Sequence, residues 1–475
     1  MDSQKSEIPV AELAPPSSRG WLERLFKLSL HGTTVKTELI AGLTTFITMA
    51  YILFLAPNIL SLAGMDKNAV LIATALGGGL VTIAMGLFVN YPICLAPGVG
   101  LLAFYAFTVV LGMGIAWQTA LGAVFISGVV FFILTVTTIR QKIVEGIPAS
   151  IKIAITVGIG LFISIIGLKL SGLMTVTLSL LPDTVAKVAQ THGHVTPGAE
   201  ETLLTMGNLM DPQVLLALFG LIFTAILMSR KVQGSFIIGV IVTSILAFAT
   251  GNAQLPEHFS IISVPDFSKA AFFQLDIPGA FHLGLITIIF SFTFVELFDS
   301  MGTLIGTATK AGIANPKEGK FPGLGKAMTV DAVGVSFGAV LGTSTITAFI
   351  ESAAGVGAGG RTGLTAVTCG VLFILCLFFA PIMMLVPECA TSPILVLVGA
   401  LMLEAIKDID FTDWTEGFPA FMTIILMPFT YSIANGVAAG LVLYPLMKII
   451  SGRTKEVHWI MYPLAIIVLI RYIWY

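Results

Sequence analysis

The chain has 475 residues, of which 56% are apolar and only 11% are charged. Soluble domains usually contain about 25% charged residues, so this chain has too few charges to cover the surface of a soluble protein of its size. The net charge of −2 gives no basic excess for binding nucleic acid. These values exclude a soluble enzyme and a nucleic-acid-binding protein, and they predict an all-α polytopic membrane protein surrounded by lipid.

The chain begins with a polar stretch, residues 1–36, which contains Pro15-Pro16-Ser17-Ser18 and lacks the apolar core and cleavage site of a secretory signal. We predict that it forms a cytoplasmic arm. A last apolar run, 457–474, has aromatic ends, and the sequence leaves open whether it crosses the membrane or lies at its interface. Between them lie fourteen apolar runs, each a candidate membrane segment: 38–63, 69–89, 92–112, 116–138, 148–171, 212–229, 232–251, 280–309, 326–342, 345–358, 362–386, 391–406, 416–432 and 434–450.

The basic residues predict the orientation, because Lys and Arg accumulate in cytoplasmic loops. With a cytoplasmic N-terminus and fourteen segments, most of the 24 Lys and Arg residues fall on the cytoplasmic side of a plasma membrane, which we expect to be a bacterial inner membrane. Two long polar connections, 173–211 and 253–279, are then extracytoplasmic, and the second divides the chain into seven and seven segments. Halves with an odd number of segments enter the membrane in opposite senses, which predicts an inverted repeat.

The third run of each half is interrupted. In the first half it contains Pro92, Pro97, Gly98 and Gly100, and in the second half it is rich in glycine around Glu351. Proline removes a backbone donor, and glycine destabilises a helix interior by about 1 kcal/mol, so both helices are predicted to break. Paired interruptions indicate the central site of a transporter. The alternative is a glycine-rich surface for ordinary helix packing.

Three carboxyl groups are predicted inside the membrane: Glu296 and Asp299 in the eighth run and Glu351 in the tenth. Spacings of three and four residues place Glu296, Asp299 and Thr303 on one helix face. A charge at the bilayer centre costs about 2.5–3.5 kcal/mol, so these side chains should face a polar interior. A buried carboxyl group without a cation beside it is suited to bind and release a proton. The alternative is a structural role with hydroxyl or backbone partners, and its case is strongest for Glu296.

The sequence contains no motif of an enzyme or a channel. Its four cysteines lack the spacing of a metal site, and we find neither a nucleophile paired with a base nor a ring of charges that could line a pore. We therefore expect no metal and no cofactor, and a membrane enzyme or a passive channel is the less favoured interpretation.

At these segments the chain resembles the AzgA-like purine permeases, a branch of the nucleobase:cation symporter family related to the uracil and xanthine permeases. The resemblance covers roughly residues 20 to 450. Its most specific motifs lie in the eighth segment and around the broken tenth segment. The matching stretches are His31 to Glu38, Ala41 to Tyr51, Ala96 to Gly100, Leu297 to Gly306, and Gly342 to Thr345 continuing through Ile350 to Gly355 and Gly359 to Gly363.

The resemblance implies fourteen transmembrane segments in two inverted seven-segment repeats, with short extended stretches in segments 3 and 10 that pair and offer half-helix N-termini to the substrate. It also implies a core domain of segments 1–4 and 8–11 and a gate domain of segments 5–7 and 12–14. The chain is then divided into an N-terminal arm (1–36), core (37–144), gate (145–279), core (280–386), gate (387–451) and a C-terminal apolar segment (452–475).

The function implied by the resemblance is proton-coupled import of purine nucleobases, namely hypoxanthine, guanine or adenine. Carried onto this chain, the substrate-binding acids are Asp299 and Glu351, and Thr303 stands where the uracil branch has a histidine. The full set of substrate-binding candidates is Asp299, Glu351, Phe46, Phe104, Gly100 and Ser352, where the two phenylalanines would stack on the base. The proton-coupling candidates are Asp299, Glu296 and Glu351.

Two departures from the family pattern leave the purine specificity open. Leu102 and Ala56 stand where these permeases usually have asparagine. The alternative on the same fold is a transporter of another nucleobase or of a small anion, although an anion site should carry a cation where this chain has Glu351. A homodimer is compatible with the sequence, which fixes neither the oligomeric state nor the proton stoichiometry.

Overall fold

The computed structural model describes residues 20–137, 146–175, 204–255, 260–281, 285–314 and 322–474. The protein is mostly helical, as predicted. The helices are α1 (Trp21–Phe26), α2 (Val35–Met49), α3 (Ile52–Leu62), α4 (Lys67–Ala84), α5 (Val99–Ala103), α6 (Trp117–Val136), α7 (Ala149–Leu170), α8 (Pro212–Ser229), α9 (Ser235–Ala249), α10 (Ile277–Ala280), α11 (Leu285–Lys310), α12 (Leu324–Leu341), α13 (Ser352–Gly357), α14 (Gly363–Leu375), α15 (Ala380–Met384), α16 (Glu388–Leu403), α17 (Trp414–Phe429), α18 (Ile433–Ile450) and α19 (Met461–Trp474).

Short irregular elements complete the secondary structure. Two π-helical stretches, Met85–Val89 and Phe104–Gly112, continue α4 and α5, and the strands are two to three residues long. The strands are β1 (Leu95–Pro97), β2 (Met174–Thr175), β3 (Thr205–Met206) and β4 (Ile346–Ala348), and the 3₁₀ turns are Phe267–Lys269, Cys376–Phe379, Glu404–Asp408 and Thr454–Glu456.

Ten helical segments in the described residues are long and apolar enough to cross a membrane. They coincide with ten of the fourteen predicted runs. Of the other four, the third and tenth contain a strand followed by a short helix, and the seventh and thirteenth contain α9 and α17, with 15 and 16 residues. The count of fourteen segments therefore stays a prediction. Most of the predicted loop 173–211 lies outside the described residues.

The two interrupted runs form a pair of strands within the helical protein. β1 and β4 are antiparallel, with Leu95 opposite Ala348 and Pro97 opposite Ile346. Pro97 has no backbone N–H and prevents a helix from continuing through β1. The helix after it begins at Val99. An extended stretch at this depth needs partners for its backbone, and the two strands supply them to each other.

A side chain from a neighbouring helix holds each strand of this pair. The Thr82 hydroxyl of α4 accepts from Leu95 N at 2.8 Å and donates to Leu95 O at 2.9 Å. In the other half of the chain, Asp331 Oδ1 of α12 accepts from Ala348 N at 3.0 Å. Leu95 and Ala348 are opposite each other in the strand pair. The Thr82 hydroxyl and the buried Asp331 carboxylate therefore anchor the pair from its two strands at the same position.

The helices pack in two groups. In the first group α14 packs against α2 and α4, and α6 packs against α11 and α12. In the second group α7 packs against α16 and α17, and α8 packs against α9 and α16. Contacts between the groups include α3 with α16, α5 with α7 and α2 with α9. The strand pair belongs to the first group, since β1 and β4 pack on α4 and α12.

The carboxylate of Glu38, on α2, binds the glycine-rich stretch Gly359-Gly360-Arg361-Thr362-Gly363 and the first turn of the helix that follows it. This buried carboxylate accepts hydrogen bonds from the backbone N–H groups of Arg361 at 2.8 Å, Thr362 at 3.3 Å and Thr365 at 3.2 Å, and from the Thr365 hydroxyl at 2.6 Å. These groups surround the start of α14, where backbone donors have no partner within the helix and a negative charge is stabilising. This part of the family motif joins α2 to α14.

A charged cluster ties together the end of the chain. Buried Lys448 of α18 bonds Glu416 Oε1 of α17 at 2.7 Å and Glu456 Oε2 at 2.8 Å, and Arg453 bonds Asp413 at 2.6 Å and Glu456 at 2.7 Å. Hydrogen bonds from Arg453 and Lys448 lower the pKa of Glu456 to about 2. The cluster joins α17, α18 and the 3₁₀ turn that follows them.

Candidate functional site

A cavity of about 470 Å³ lies between the two helix groups. The first group contributes the region of Tyr51, the start of α5, the middle of α11 and the end of β4, and the second contributes α7, α16 and the 3₁₀ turn after α16. The residues that line the cavity are Tyr51, Gly98, Val99, Gly100, Leu101, Thr156, Ile159, Val295, Phe298, Asp299, Gly302, Thr303, Thr347, Ala348, Phe349, Ile350, Glu351, Val398, Leu401, Met402, Glu404, Ala405, Lys407 and Asp408.

Asp299 and Glu351, the two acids predicted to bind substrate, both line this cavity. Asp299 lies in the middle of α11, and Glu351 follows β4 directly before α13. The Tyr51 hydroxyl donates a hydrogen bond to Glu351 Oε1 at 2.7 Å. The structure thus brings together two carboxyl groups that come from different helices and from different positions along the sequence.

The broken third segment contributes the start of α5 to the same cavity. Val99, Gly100 and Leu101 form the first turn of α5 and line the cavity, and the N–H groups of a first helical turn have no carbonyl partner within the helix. Gly100 also packs closely against the second helix group, because a Cβ atom on it would come within 2.5 Å of Ile159 Cγ2. A residue without a side chain therefore allows α5 to approach α7 at the cavity.

Glu296 lies behind the cavity wall, and its side chain is 1% exposed. Its Oε1 accepts a hydrogen bond from Ser300 at 2.9 Å, and the Ser300 hydroxyl shares a second hydrogen bond with Thr347 of β4 at 3.0 Å. Its Oε2 has no hydrogen-bond partner among the described residues. Asp331 of α12 accepts from Ala348 N, the residue after Thr347, so Glu296 and Asp331 are both linked to β4 by hydrogen bonds.

The two phenylalanines predicted to stack on a base are found in aromatic contacts. Phe46 packs edge-on against Phe373 with ring centroids 5.6 Å apart, and buried Phe104 packs edge-on against Phe292 at 5.0 Å. Neither belongs to the set of described residues that line the cavity. Their stacking role therefore stays a prediction.

Ser352 is also absent from the described cavity lining. Its buried hydroxyl accepts from Cys94 N at 3.0 Å and contacts Cys94 O at 3.5 Å. These bonds join the start of α13 to the residue before β1. In this arrangement Ser352 fastens the two broken segments to each other, and its proposed contact with substrate is an untested prediction.

Sequence reasoning missed two residues of this region, Tyr51 and Asp331. Tyr51 ends one of the stretches that match the purine permeases, and this position could have drawn attention to it. Asp331 is a carboxyl group in the middle of the apolar run 326–342, which is the same signal that identified Asp299. The cavity also extends to an exposed ion pair, Glu404 with Lys407 at 2.9 Å.

Comparisons with known proteins agree with the fold. The chain matches the sequence profile of the Permease family, that of the xanthine and uracil permeases, over residues 36–179 and 170–439. It is 44% identical to the adenine permease AdeQ of Escherichia coli, covering 92% of this chain and 93% of that one. It is 41% identical to the guanine/hypoxanthine permease PbuG of Bacillus subtilis, covering 95% and 99%.

A solved structure, the transmembrane domain of a cyanobacterium bicarbonate transporter, BicA, has a similar fold. Its TM-score is 0.60 at 14% identity, and the alignment covers 86% of this chain and 97% of that domain. At this identity the likeness concerns the fold alone.

Proposed function

Because the chain belongs to the xanthine/uracil permease family, we propose that it imports purine nucleobases, with hypoxanthine, guanine or adenine as substrate and protons as the coupling ion. Family membership confirms the resemblance that the sequence motifs indicated, and it agrees with the prediction that the protein is not an enzyme. The relatives are named as adenine and as guanine/hypoxanthine permeases, which supports a purine and leaves the choice among purines open.

The observation that carries the proposal is the cavity that Asp299, Glu351 and the first turn of α5 line together. A purine is flat, and its ring N–H groups can donate hydrogen bonds to a carboxylate. Its carbonyl or ring nitrogen atoms can accept hydrogen bonds from backbone N–H groups at a helix start. The cavity lies between two helix groups, which is where a substrate must lie if relative motion of the groups exposes it to alternate sides.

We assign the roles as follows. Asp299 and Glu351 accept hydrogen bonds from N–H groups of the base. The backbone N–H groups at Gly100 donate to its carbonyl or ring nitrogen atoms. Phe46 and Phe104 are proposed to reach the base in another arrangement of the helices, and Ser352 is proposed to orient the turn that carries Glu351. A neutral base brings no charge, so uphill uptake needs an ion, and protonation of Asp299, Glu296 or Glu351 would supply the coupling.

The proposed architecture has fourteen segments in two inverted repeats. The first helix group corresponds to a core domain (37–144 and 280–386), and the second to a gate domain (145–279 and 387–451). The orientation proposed from the basic residues gives a cytoplasmic N-terminus in a plasma membrane. An exposed apolar face of α8 that includes Phe219 and Ile222 is compatible with lipid or with a second copy in a homodimer.

The test is uptake of labelled bases by liposomes that contain the purified protein. We expect accumulation of at least one purine when the outside is more acidic than the inside, and only equilibration without the gradient. Labelled uracil and bicarbonate are tested in the same assay. They represent the two alternatives on this fold, another nucleobase and a small anion. Absence of purine uptake would contradict the substrate class, and accumulation that ignores the pH gradient would contradict proton coupling.

A further inference from the structure

Tyr51 contacts both helix groups, through Glu351 in the first group and Phe236 in the second. It lies between α2 and α3, and its side chain is 1% exposed. Its hydroxyl donates to Glu351 Oε1 at 2.7 Å. Its ring packs against Phe236 of α9, with the ring centroids 5.1 Å apart. One side chain therefore contacts both the proposed substrate acid in the first helix group and an aromatic residue in the second.

The geometry explains how a contact with α9 can affect Glu351. A tyrosine side chain has only two rotatable bonds, so packing against its ring fixes the position of its hydroxyl. The Glu351 side chain has more freedom, and its hydrogen bond to Tyr51 restricts one carboxyl oxygen to one direction. Phe236 is itself 6% exposed, so the ring that supports Tyr51 is held in turn by the second helix group.

We propose that Tyr51 is a positioning residue: it holds the Glu351 carboxyl group in the orientation that accepts the base, and its contact with Phe236 makes this orientation depend on the position of α9. When the second helix group moves relative to the first, the ring loses its support and Glu351 loses a fixed partner. The base is then held in one arrangement and released more easily in the other. The inference rests on the proposed function for the ligand, for Glu351 as its acceptor and for the relative motion of the two helix groups.

Three substitutions test the inference. Tyr51→Phe removes the hydroxyl and keeps the ring, and Phe236→Leu removes the aromatic support and keeps both groups of the hydrogen bond. Tyr105→Phe is the matched control, because Tyr105 is equally buried and its hydroxyl donates to Trp117 O at 2.7 Å, outside the described lining of the cavity. Melting curves of all three in detergent identify any variant that fails to fold.

The first measurement needs no substrate. An apolar carbodiimide labels buried carboxyl groups, and mass spectrometry measures its rate of attachment to Glu351. We expect Tyr51→Phe to raise this rate by about 10- to 150-fold, because a hydrogen bond to a charged group contributes about 1.5–3 kcal/mol and 1.4 kcal/mol is one factor of ten. Phe236→Leu should raise it in the same direction, and Tyr105→Phe should leave it at the parent rate. An unchanged rate in folded Tyr51→Phe or Phe236→Leu would overturn the inference.

The second measurement is calorimetric binding of hypoxanthine, guanine and adenine. Tyr51→Phe should weaken binding by up to that same factor, the value of one hydrogen bond to a charged group. It should cost little in a Glu351→Gln background, since residues that act through one another are not additive. Fully additive losses, or parent-like binding by Tyr51→Phe, would overturn the inference and leave the purine proposal intact. If the parent binds no purine while the labelling responds as expected, the proposed substrate fails and the Tyr51 assignment stands.

Discussion

Asp331 Oδ1 accepts the backbone N–H of Ala348 at 3.0 Å, so a buried carboxylate of α12 holds the strand that leads to Glu351. We expect Asp331→Leu to lower the free energy of unfolding by about 1–3 kcal/mol, because it leaves a buried N–H group without its acceptor. Asp331→Asn keeps an acceptor oxygen and should cost less. Denaturant unfolding of the purified protein in detergent measures both, and equal stability of Asp331→Leu and the parent would contradict the anchoring role.

Asp299 is expected to couple transport to protons. Asp299→Asn removes the only titratable group on the cavity side of α11 among the residues described, and we expect it to abolish accumulation driven by a pH gradient. Uptake into liposomes with and without the gradient measures this. Asp410→Asn is the matched control, since Asp410 lies in the loop before α17, outside the described cavity lining, and accepts from the N–H and hydroxyl of Thr412. Full gradient-driven accumulation by Asp299→Asn would make Asp299 a structural residue.

Glu296 is expected to tune coupling without touching the base, because it lies behind the cavity and is bonded to Ser300 at 2.9 Å. Glutamine keeps an oxygen that can accept this hydrogen bond, so Glu296→Gln should fold, retain purine binding and shift the pH optimum of uptake. Calorimetry and a pH series of uptake test the two parts separately. If the folded variant loses all binding, Glu296 is a direct ligand.

Glu351 is expected to bind the base directly. Glu351→Gln exchanges a charged acceptor for an amide, and hydrogen bonds to charged groups contribute about 1.5–3 kcal/mol, so affinity should fall by roughly 10- to 150-fold. A purine methylated at the contacted nitrogen should bind the parent weakly but lose little more in the variant. Calorimetry measures the purine and its methylated form on the parent protein and on Glu351→Gln. Parent-like purine affinity in Glu351→Gln would contradict the proposed contact.

The charged cluster around Lys448 predicts how stability depends on pH. The folded protein holds the pKa of Glu456 at about 2, below its ordinary 4.5, so its contribution is present above about pH 4.5 and is lost as the pH falls towards 2. We expect the melting temperature to decline less between pH 6 and pH 3 in Glu456→Gln than in the parent. The difference should shrink in high salt, because Glu456 is partly exposed. Parallel pH curves would contradict this assignment.

Local chemistry made part of the site predictable. Proline and glycine break helices wherever they occur, so the interruptions in the third and tenth runs could be identified without knowing their partners. A carboxyl group in an apolar run is costly in any membrane fold, which is why Asp299 and Glu351 could be selected as candidates from the sequence. The structure places both at one cavity. The same argument applies to Asp331, which the sequence analysis overlooked.

Features that depend on partners distant in sequence were not predictable. Tyr51 and Glu351 are 300 residues apart, and nothing near either residue specifies the other. The direction of an aromatic side chain in an apolar run is equally undetermined, because every face of such a helix is apolar, and so Phe46 and Phe104 could not be assigned to cavity or core. Helix length was not predictable from apolar run length either, since four of the predicted runs contain helices shorter than the ten long ones.

The pairing of β1 with β4 has a consequence for biosynthesis. β1 emerges from the ribosome long before β4, and its backbone partners in that strand do not exist until the tenth segment has been made. Unpaired backbone is costly in hydrocarbon, so the nascent first half must keep β1 shielded by water or by the insertion machinery. Premature termination before Ile346 would deprive β1 of its partner, and neither half of the chain can assemble the cavity alone.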